Sequence, residues 1–263
     1  MSLPFDFKTL TIDDLRPVGL GLTSEVVRIA DTNIVAKVPI PSDSLPTKVH
    51  EIEKDIYERI QDHPNILKCL GQSPPECELL RSALLFEYHS QGNVKEHLDE
   101  LNTIPTRSRW PYQAVSALAH IHSKGIIHAD FGLHNFLLRD DGSIVLCDFS
   151  GSSLDGACPY VAYGVPYDDP LSTRDNPSEN EDVFALGTVL YELDRGKLLF
   201  DGMSGDEIFL RLRNRDFPDL SMIDLPLRGV VEKCWTVEGY TASDALKELE
   251  GPQSEVCSES SIT

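Results

Sequence analysis

Basic residues are scarce in this chain. Its 263 residues include 23 Lys and Arg against 43 Asp and Glu, which gives a formal net charge of −20. Nucleic acids and anionic membrane surfaces are bound through clustered cationic side chains. The charge balance therefore argues against nucleic acid or an anionic membrane surface as the main partner.

Long hydrophobic runs and closely spaced cysteine pairs are also missing. No apolar stretch approaches the roughly 20 residues that cross a bilayer, so we expect no membrane insertion. Residues 1–15 have no basic region followed by an apolar core, and no signal peptide is predicted. The six cysteines are scattered without a C-x-x-C pair, which favours reduced thiols and a cytoplasmic or nuclear protein. The oligomeric state is left open.

The first third of the chain predicts a small sheet with one helix. Residues 18–40 are typical of two strands around a turn at 30–33. Residues 48–62 carry apolar side chains at helical spacing, which predicts a helix with one apolar face. Residues 82–88 are a compact apolar run and predict a further strand.

From residue 94 onward helical patterns dominate. The segment 181–194 is apolar nearly all round, which predicts a buried central helix. The predicted helices are 109–123, 181–194, 226–235 and 241–250. A β-rich first part followed by a helical remainder indicates an α+β protein with two lobes. The serine-rich segment 251–263 has no periodicity and is predicted to be a disordered tail.

Polar residues interrupt the apolar stretch 126–138. Asp130 and Asn135 stand between apolar residues, and Asp148 directly follows the apolar strand 144–147. Polar groups beside a core are costly unless they are used. Carboxylate and amide oxygens at the ends of strands suit a hard cation such as Mg²⁺ with a phosphate ligand. Capping of turns by these residues is the other explanation.

Lys37 lies inside an apolar strand, where an ammonium either needs a counter-charge or points outward. Glu53 lies beside the apolar face of the 48–62 helix and is a candidate partner, although a solvated position also explains it. Gly19 and Gly21 precede Val26 in a strand–turn–strand pattern. Such glycines allow close approach to phosphates, but they also fit an ordinary tight hairpin.

These residues stand in the order G-x-G-x-x-x-x-V, V-A-K, a helical Glu, L-L-F-E-Y, H-x-D-x-x-x-x-N, D-F-S and D-V-F-A-L-G. In this order the chain resembles the eukaryotic protein kinase domain over about residues 15–250. The resemblance implies a kinase-like domain with a small β-rich lobe at about 1–87 and a hinge at about 87–92. A larger, mainly helical lobe would follow at about 93–250.

The resemblance also implies ATP and Mg²⁺ as cofactors and a role for each matching residue. Lys37 would hold the α- and β-phosphates and pair with Glu53. Asp130 would accept the proton of the substrate hydroxyl, while Asn135 and Asp148 would bind Mg²⁺. The residues implied to bind the nucleotide are Gly19, Gly21, Val26, Lys37, Phe86, Glu87, His89, Asn135 and Asp148.

Two departures concern the control of activity. The arginine that precedes the catalytic Asp in the family is Ala129 here. Because that arginine pairs with a phosphate on the activation loop, its absence predicts activity that such phosphorylation does not gate. The glycine that ends the family's D-F-G is Ser150, which predicts a restricted loop.

Two further departures concern the rate. The lysine two residues after the catalytic Asp is Gly132, and loss of one such contact with the transferring phosphoryl group costs on the order of 10²–10³ in rate. His134 occupies the position of an arginine in tyrosine kinases. We therefore expect His134 to be a catalytic residue that partly replaces the missing charge.

The leading interpretation is a protein kinase that transfers the ATP γ-phosphoryl group to a protein hydroxyl. The serine/threonine type is expected, although neither the lysine nor the arginine that distinguishes the types is present. An ATP-binding pseudokinase scaffold is the main alternative. A small-molecule phosphotransferase of the aminoglycoside or choline kinase type is a third. The acidic segment 168–182 fits either a solvated loop or a surface that attracts a basic protein substrate.

Overall fold

The computed structural model describes residues 3–40, 45–172 and 178–251, apart from the side chains of residues 101 and 102. The tail predicted for 251–263 lies outside the described residues except for Gly251. The strands are β1 (Leu15–Leu20), β2 (Ser24–Ile29), β3 (Ile34–Pro39), β4 (Cys69–Gln72), β5 (Leu84–Glu87), β6 (Ile126–Ile127), β7 (Phe136–Leu138), β8 (Ile144–Leu146) and β9 (Ser153–Leu154). The α-helices are α1 (Leu45–Ile60), α2 (Trp110–Ser123), α3 (Glu179–Arg195), α4 (Gly205–Arg213), α5 (Leu227–Thr236) and α6 (Ala242–Glu250).

The first five strands form one antiparallel sheet in the order β1-β2-β3-β5-β4. The predicted turn at 30–33 joins β2 to β3. In this turn the Thr32 amide donates to the Ile29 carbonyl at 3.2 Å. Asp31 adopts a φ of 58°, a left-handed conformation that aspartate tolerates better than most residues. The resulting register places Val26 opposite Lys37.

The two faces of this sheet pack against different layers. Because side chains alternate along a strand, Ile34, Ala36 and Val38 of β3 all join one outer cluster. The N-terminal segment and the segment between β4 and β5 cover that cluster with Leu3, Phe5, Phe7, Leu10, Cys77, Leu80 and Ala83. Lys37 lies on the opposite, inner face, where it is only 8% exposed. The interpretation of Lys37 as an outward-pointing residue is therefore wrong.

The helix predicted for 181–194 is α3, and it lies at the centre of the larger lobe. Every residue from Asp182 to Leu193 is buried. The helix packs against α2 and α5. Close contact with α5 requires glycine at position 187, because a Cβ atom there would lie 2.7 Å from Nε1 of Trp235. A sheet with one helix followed by this helical lobe confirms the predicted two-lobed α+β fold.

The other predicted helices correspond to α1, α2, α5 and α6, whereas α4 was not predicted. Ser204 is the N-cap residue directly before α4, and its hydroxyl accepts the Glu207 amide in a capping box. This start signal was readable from the sequence. In the part of the chain that the structure describes, no helix is both long and apolar enough to cross a membrane.

A buried carboxylate lies in the last turns of α3. Glu192 is completely buried, and it accepts hydrogen bonds from the Leu199 amide at 3.0 Å and the Tyr167 hydroxyl at 2.8 Å. Burial raises the pKa of Glu192 to about 7, although these two hydrogen bonds and nearby cationic groups act in the opposite direction. Glu192 is thus a titratable group in the core of the larger lobe.

We expect the substitution Glu192→Gln to flatten the pH dependence of stability between the ordinary pKa of 4.5 and the folded value of about 7. Within this window the unfolded chain loses the proton and the folded protein keeps it, so the free energy of unfolding falls as pH rises. The buried glutamate should contribute about 3 kcal/mol to that fall. Urea denaturation at a series of pH values measures it, with the exposed Glu51→Gln as the matched control. If the free energy of unfolding depended on pH equally in Glu192→Gln and in wild type, Glu192 would not be the group that titrates in this window.

Candidate active site

A cleft of about 440 Å³ lies between the sheet and the helical lobe. Its lining includes the side of β3 that faces away from the outer cluster, the buried face of α1, and the chain that follows β5. Of the predicted site residues, those that line the cleft are Gly19, Val26, Lys37, Glu53, Phe86, Glu87, His89, His134 and Asp148. Gly21, Asp130 and Asn135 lie outside this lining. The fold therefore brings most of the predicted residues into one cavity.

The ammonium group of Lys37 is the centre of a cluster of charged groups. Its Nζ lies 2.7 Å from Glu53 Oε2 and 2.7 Å from Asp148 Oδ1. It also donates to the Ser150 hydroxyl at 2.6 Å. The Phe149 amide lies 3.3 Å from Glu53 Oε1 and donates to it. The predicted Lys37–Glu53 pair is thus formed and joins β3, α1 and the chain that follows β8.

Charge pairing decides the protonation states in this cluster. Burial of Lys37 would lower its pKa, but Asp148 and Glu53 outweigh that effect and hold the pKa above its usual value. Partial burial of Asp148 would raise its pKa, but the Lys37 ammonium lowers the pKa of Asp148 to about 2. Lysine and carboxylate are therefore both charged at neutral pH, as an ion pair requires.

Asn135 and Asp148 lie at the same end of the β7–β8 hairpin. The Cys147 amide donates to the Asn135 carbonyl at 2.9 Å. This hydrogen bond extends the pairing at the open end of the hairpin, just before Asp148. The side-chain amide of Asn135 donates to the carbonyl oxygen of Asp130 at 2.8 Å and to its carboxylate at 3.2 Å. Three polar residues that are separated in sequence therefore meet at one end of a hairpin.

Asp182 holds the loop that carries Asp130. It is completely buried in α3 and accepts the amides of His128 at 2.7 Å and Ala129 at 3.0 Å. The Nε2 atom of His122 donates to the same carboxylate at 2.8 Å, and the Tyr163 hydroxyl also bonds to it. These contacts fix Ala129 in a left-handed conformation with a φ of 64°, directly before Asp130.

The His134 ring contacts the Asp130 carboxylate and also lies close to Gly132. The Nε2 atom of His134 lies 3.2 Å from the Asp130 carboxylate, and its ring contacts the Tyr167 ring edge-on at 5.9 Å. A Cβ atom on Gly132 would lie 2.6 Å from Cε1 and 2.8 Å from Nδ1 of His134. The backbone of Gly132 is extended, with φ −166° and ψ 165°, so its conformation alone does not require glycine. A side chain at this position would require the His134 ring to move.

A row of rings links the sheet to the loop that carries Asp130. Phe86 contacts Tyr57 at a centroid distance of 4.9 Å, and Tyr57 contacts Phe149 at 5.2 Å. Phe149 then contacts His128 at 5.1 Å. Because Phe149 is completely buried in this row, the adjacent Asp148 is held at the cleft.

The glycine turn and the chain after β5 form the outer part of the cleft. The Gly21 amide donates to the Ser24 carbonyl at 2.8 Å and closes the turn between β1 and β2. After β5, the Tyr88 amide donates to the Asn33 carbonyl at 2.9 Å. Glu87 and His89, on either side of Tyr88, line the cavity.

The sequence did not reveal several contacts of this site. Ser150 was visible only as a departure from glycine, and its bonds depend on how closely β3 and α1 approach. The hydrogen bonds of Tyr163 to Asp182 and of Tyr167 to Glu192 gave no signal in the sequence. Asp169, in the acidic segment 168–182, pairs with Arg215 at 3.1 Å, and this pair also lies outside any sequence pattern that we identified.

This fold and this cleft define a two-lobed, kinase-like domain. A family model described as the protein kinase domain matches residues 12–247, so the chain belongs to the protein kinase family. Members of this family use ATP and divalent metal ions in general, and their substrates are proteins.

Similar proteins are found among plant kinases. A protein of Arabidopsis thaliana named as a probable receptor-like protein kinase is 34% identical over 226 residues, which are 76% of this chain and 65% of the relative. The serine/threonine/tyrosine-protein kinase HT1 of Arabidopsis thaliana is 27% identical over 186 residues, 66% of this chain and 46% of the relative. Mitogen-activated protein kinase kinase kinase 20 of the same organism is 31% identical over 166 residues, 58% of this chain and 48% of the relative. The matches thus span between 46% and 65% of these relatives.

We expect the substitution Gly132→Ala to destabilise the protein by about 1–3 kcal/mol, because the new methyl group overlaps the His134 ring. The cost should largely disappear in the background of His134→Ala, where that space is empty. A double-mutant cycle measured by urea denaturation gives the coupling energy. Additive effects of the two substitutions would show that His134 does not occupy the space beside Gly132.

Proposed function

We propose that this chain is a catalytically active protein kinase that transfers the γ-phosphoryl group of ATP to a serine or threonine hydroxyl of a protein. The main support is the closed Lys37–Glu53 pair at 2.7 Å, with Asp148 equally close to the same ammonium. A buried ammonium with two carboxylates is costly to maintain without a function. Its position inside the cleft suits the binding of a polyphosphate.

The nucleotide is proposed to lie in the cleft between the lobes. Adenine would bind the backbone of Glu87 and His89 in the hinge at about 87–92, between lobes at about 1–87 and 93–250. Phe86 would limit the depth of the cavity. The residues proposed to lie over or against the phosphates are Gly19, Gly21, Val26 and Lys37. A cavity of about 440 Å³ is in the usual range of ligand pockets.

Asn135 and Asp148 fit a Mg²⁺ ion. Asp148 is charged, and its side chain is 50% exposed towards the cleft. The amide nitrogen of Asn135 is engaged with Asp130, which leaves the amide oxygen as the atom for a cation. Such hard oxygen ligands are those that Mg²⁺ prefers. A bound ion would neutralise phosphate charge during transfer.

Asp130 is proposed to accept the proton of the attacking hydroxyl while the terminal phosphorus–oxygen bond of ATP breaks and ADP leaves. The side-chain amide of Asn135 donates to Oδ2 of the Asp130 carboxylate. The Nε2 atom of His134 lies 3.2 Å from the same oxygen. His134 is therefore the group that would supply part of the positive charge missing at position 132.

The acceptor is proposed to be a basic protein segment. The net charge of −20 attracts cationic partners over long distances. The acidic segment 168–182 contributes less than its composition indicates, because Asp182 is buried and Asp169 pairs with Arg215. Glu181 also accepts the Ser172 hydroxyl at 2.6 Å.

A pseudokinase that binds ATP without transferring phosphate is the second candidate. Gly132 favours it, because no cationic side chain occupies the position of the family's catalytic lysine. The two functions differ in turnover and agree in nucleotide binding.

We expect measurable phosphate transfer from ATP to basic serine peptides in the presence of Mg²⁺, and a loss of at least about 10³-fold with Asp130→Asn. Mass spectrometry of matched peptides with basic, neutral and acidic flanks detects both transfer and acceptor preference. ATP binding should survive in Asp130→Asn because Asp130 lies outside the cleft lining.

Binding of Mg·ATP by the wild type without any transfer to the peptides or to the chain itself would favour the pseudokinase. Transfer that is equally fast to basic and acidic peptides would remove the basic acceptor but retain the kinase.

We also expect His134→Ala to lower kcat by about tenfold or more, because a polar group beside the transferring group is removed. Addition of Gly132→Lys in that background should recover part of the loss, since the space beside residue 132 is then free. Unchanged kcat in His134→Ala would show that His134 has no part in transfer.

A further inference from the structure

Ser150 provides a contact that a glycine at this position cannot make. Its hydroxyl accepts a hydrogen bond from Lys37 Nζ at 2.6 Å and donates one to Glu53 Oε2 at 2.9 Å. One oxygen atom thereby joins both members of the buried ion pair. The backbone amide of Ser150 also donates to Asp148 Oδ1 at 3.3 Å.

We propose that Ser150 is a positioning residue. Its hydroxyl holds the Lys37–Glu53 ion pair closed without a phosphate on segment 148–166. This inference deepens the proposed kinase function and rests on it. In the family, a phosphate on this segment acts through the arginine that Ala129 replaces here. The Ser150 hydroxyl instead ties the start of the segment directly to α1 and β3.

Three elements depend on this hydroxyl. Lys37 belongs to β3, Glu53 to α1, and Ser150 to the chain that follows β8. Without the Ser150 hydroxyl, the direct hydrogen bond left between Glu53 and this chain is the one from the Phe149 amide at 3.3 Å, and Lys37 provides an indirect link. The Tyr57–Phe149 ring contact and the Arg59–Asp155 ion pair also join α1 to this chain, but neither contact involves Lys37 or Glu53. Hydrogen bonds to charged groups are among the stronger ones in proteins, so the loss of two of them should loosen α1.

Serine also fits this position without backbone strain. Ser150 does not adopt a positive φ, although Asp148 and Gly151 on either side of it do, with φ values of 62° and 84°. The conformational freedom of glycine is therefore not needed at residue 150 in this arrangement. The serine stabilises one conformation of the segment and gives up the freedom that a glycine would retain.

The ammonium of Lys37 has three N–H donors, and Glu53, Asp148 and Ser150 match them one to one. A nucleotide phosphate that binds Lys37 would replace Asp148 as a partner of the ammonium. The side chain of Asp148 is 50% exposed, whereas that of Glu53 is 1% exposed. Glu53 and Ser150 would then keep Lys37 in place.

The experiment compares Ser150→Thr with Ser150→Val, which have the same shape and differ in the hydroxyl. Hydrogen exchange of the protein without nucleotide is followed in peptides that cover α1 and residues 147–154. We expect amides of α1 to exchange about tenfold faster in Ser150→Val than in Ser150→Thr. Ser150→Ala, which adds no atoms, should resemble Ser150→Val. The matched control is Ser153→Ala, which removes a buried hydroxyl that has no hydrogen-bond partner and should leave α1 unchanged.

Equal exchange in Ser150→Thr and Ser150→Val, or wild-type exchange in Ser150→Ala, would overturn the proposal. In kinetics, Ser150→Val should lower kcat by about tenfold relative to Ser150→Thr, with a smaller change in the KM for ATP. Absence of turnover in the wild type would contradict the kinase function alone, because exchange still reports on Ser150.

Discussion

The burial of one ammonium group constrains the whole cleft. Lys37 lies on the inner face of a sheet whose outer face is filled with apolar side chains, so it cannot reach solvent on that side. A buried charge is tolerated only with charged or polar partners. Glu53 on α1 and Asp148 after β8 supply them. The helix, the sheet and the segment from the larger lobe must therefore meet at one point, and the cavity forms around it.

A second buried charge organises the larger lobe. The Asp182 carboxylate accepts two consecutive amides of the loop that carries Asp130, and it also bonds His122 and Tyr163. The rings of His128, Phe149 and Tyr57 then link this loop to α1. The position of the Asp130 carboxylate and that of the ion pair are thereby coupled through packed side chains.

Two departures from the family pattern are each accompanied by a contact with another residue of the site. At Gly132 the family's lysine is missing, and the His134 ring lies where a Cβ atom of residue 132 would be. Ser150 is not simply a lost glycine, because its hydroxyl bonds to both Lys37 and Glu53.

The sequence by itself determined the two-lobed α+β fold, the buried helix α3 and the kinase family, because periodicity and motif order are local properties of the chain. It also supplied Lys37, Glu53, Asp130, Asn135 and Asp148 as candidates, since charged residues in apolar runs stand out. It left open which way Lys37 points, what fills the space beside Gly132 and what Ser150 touches. Only the tertiary structure decided these, because each depends on distances between residues far apart in sequence, where packing of whole elements sets the geometry.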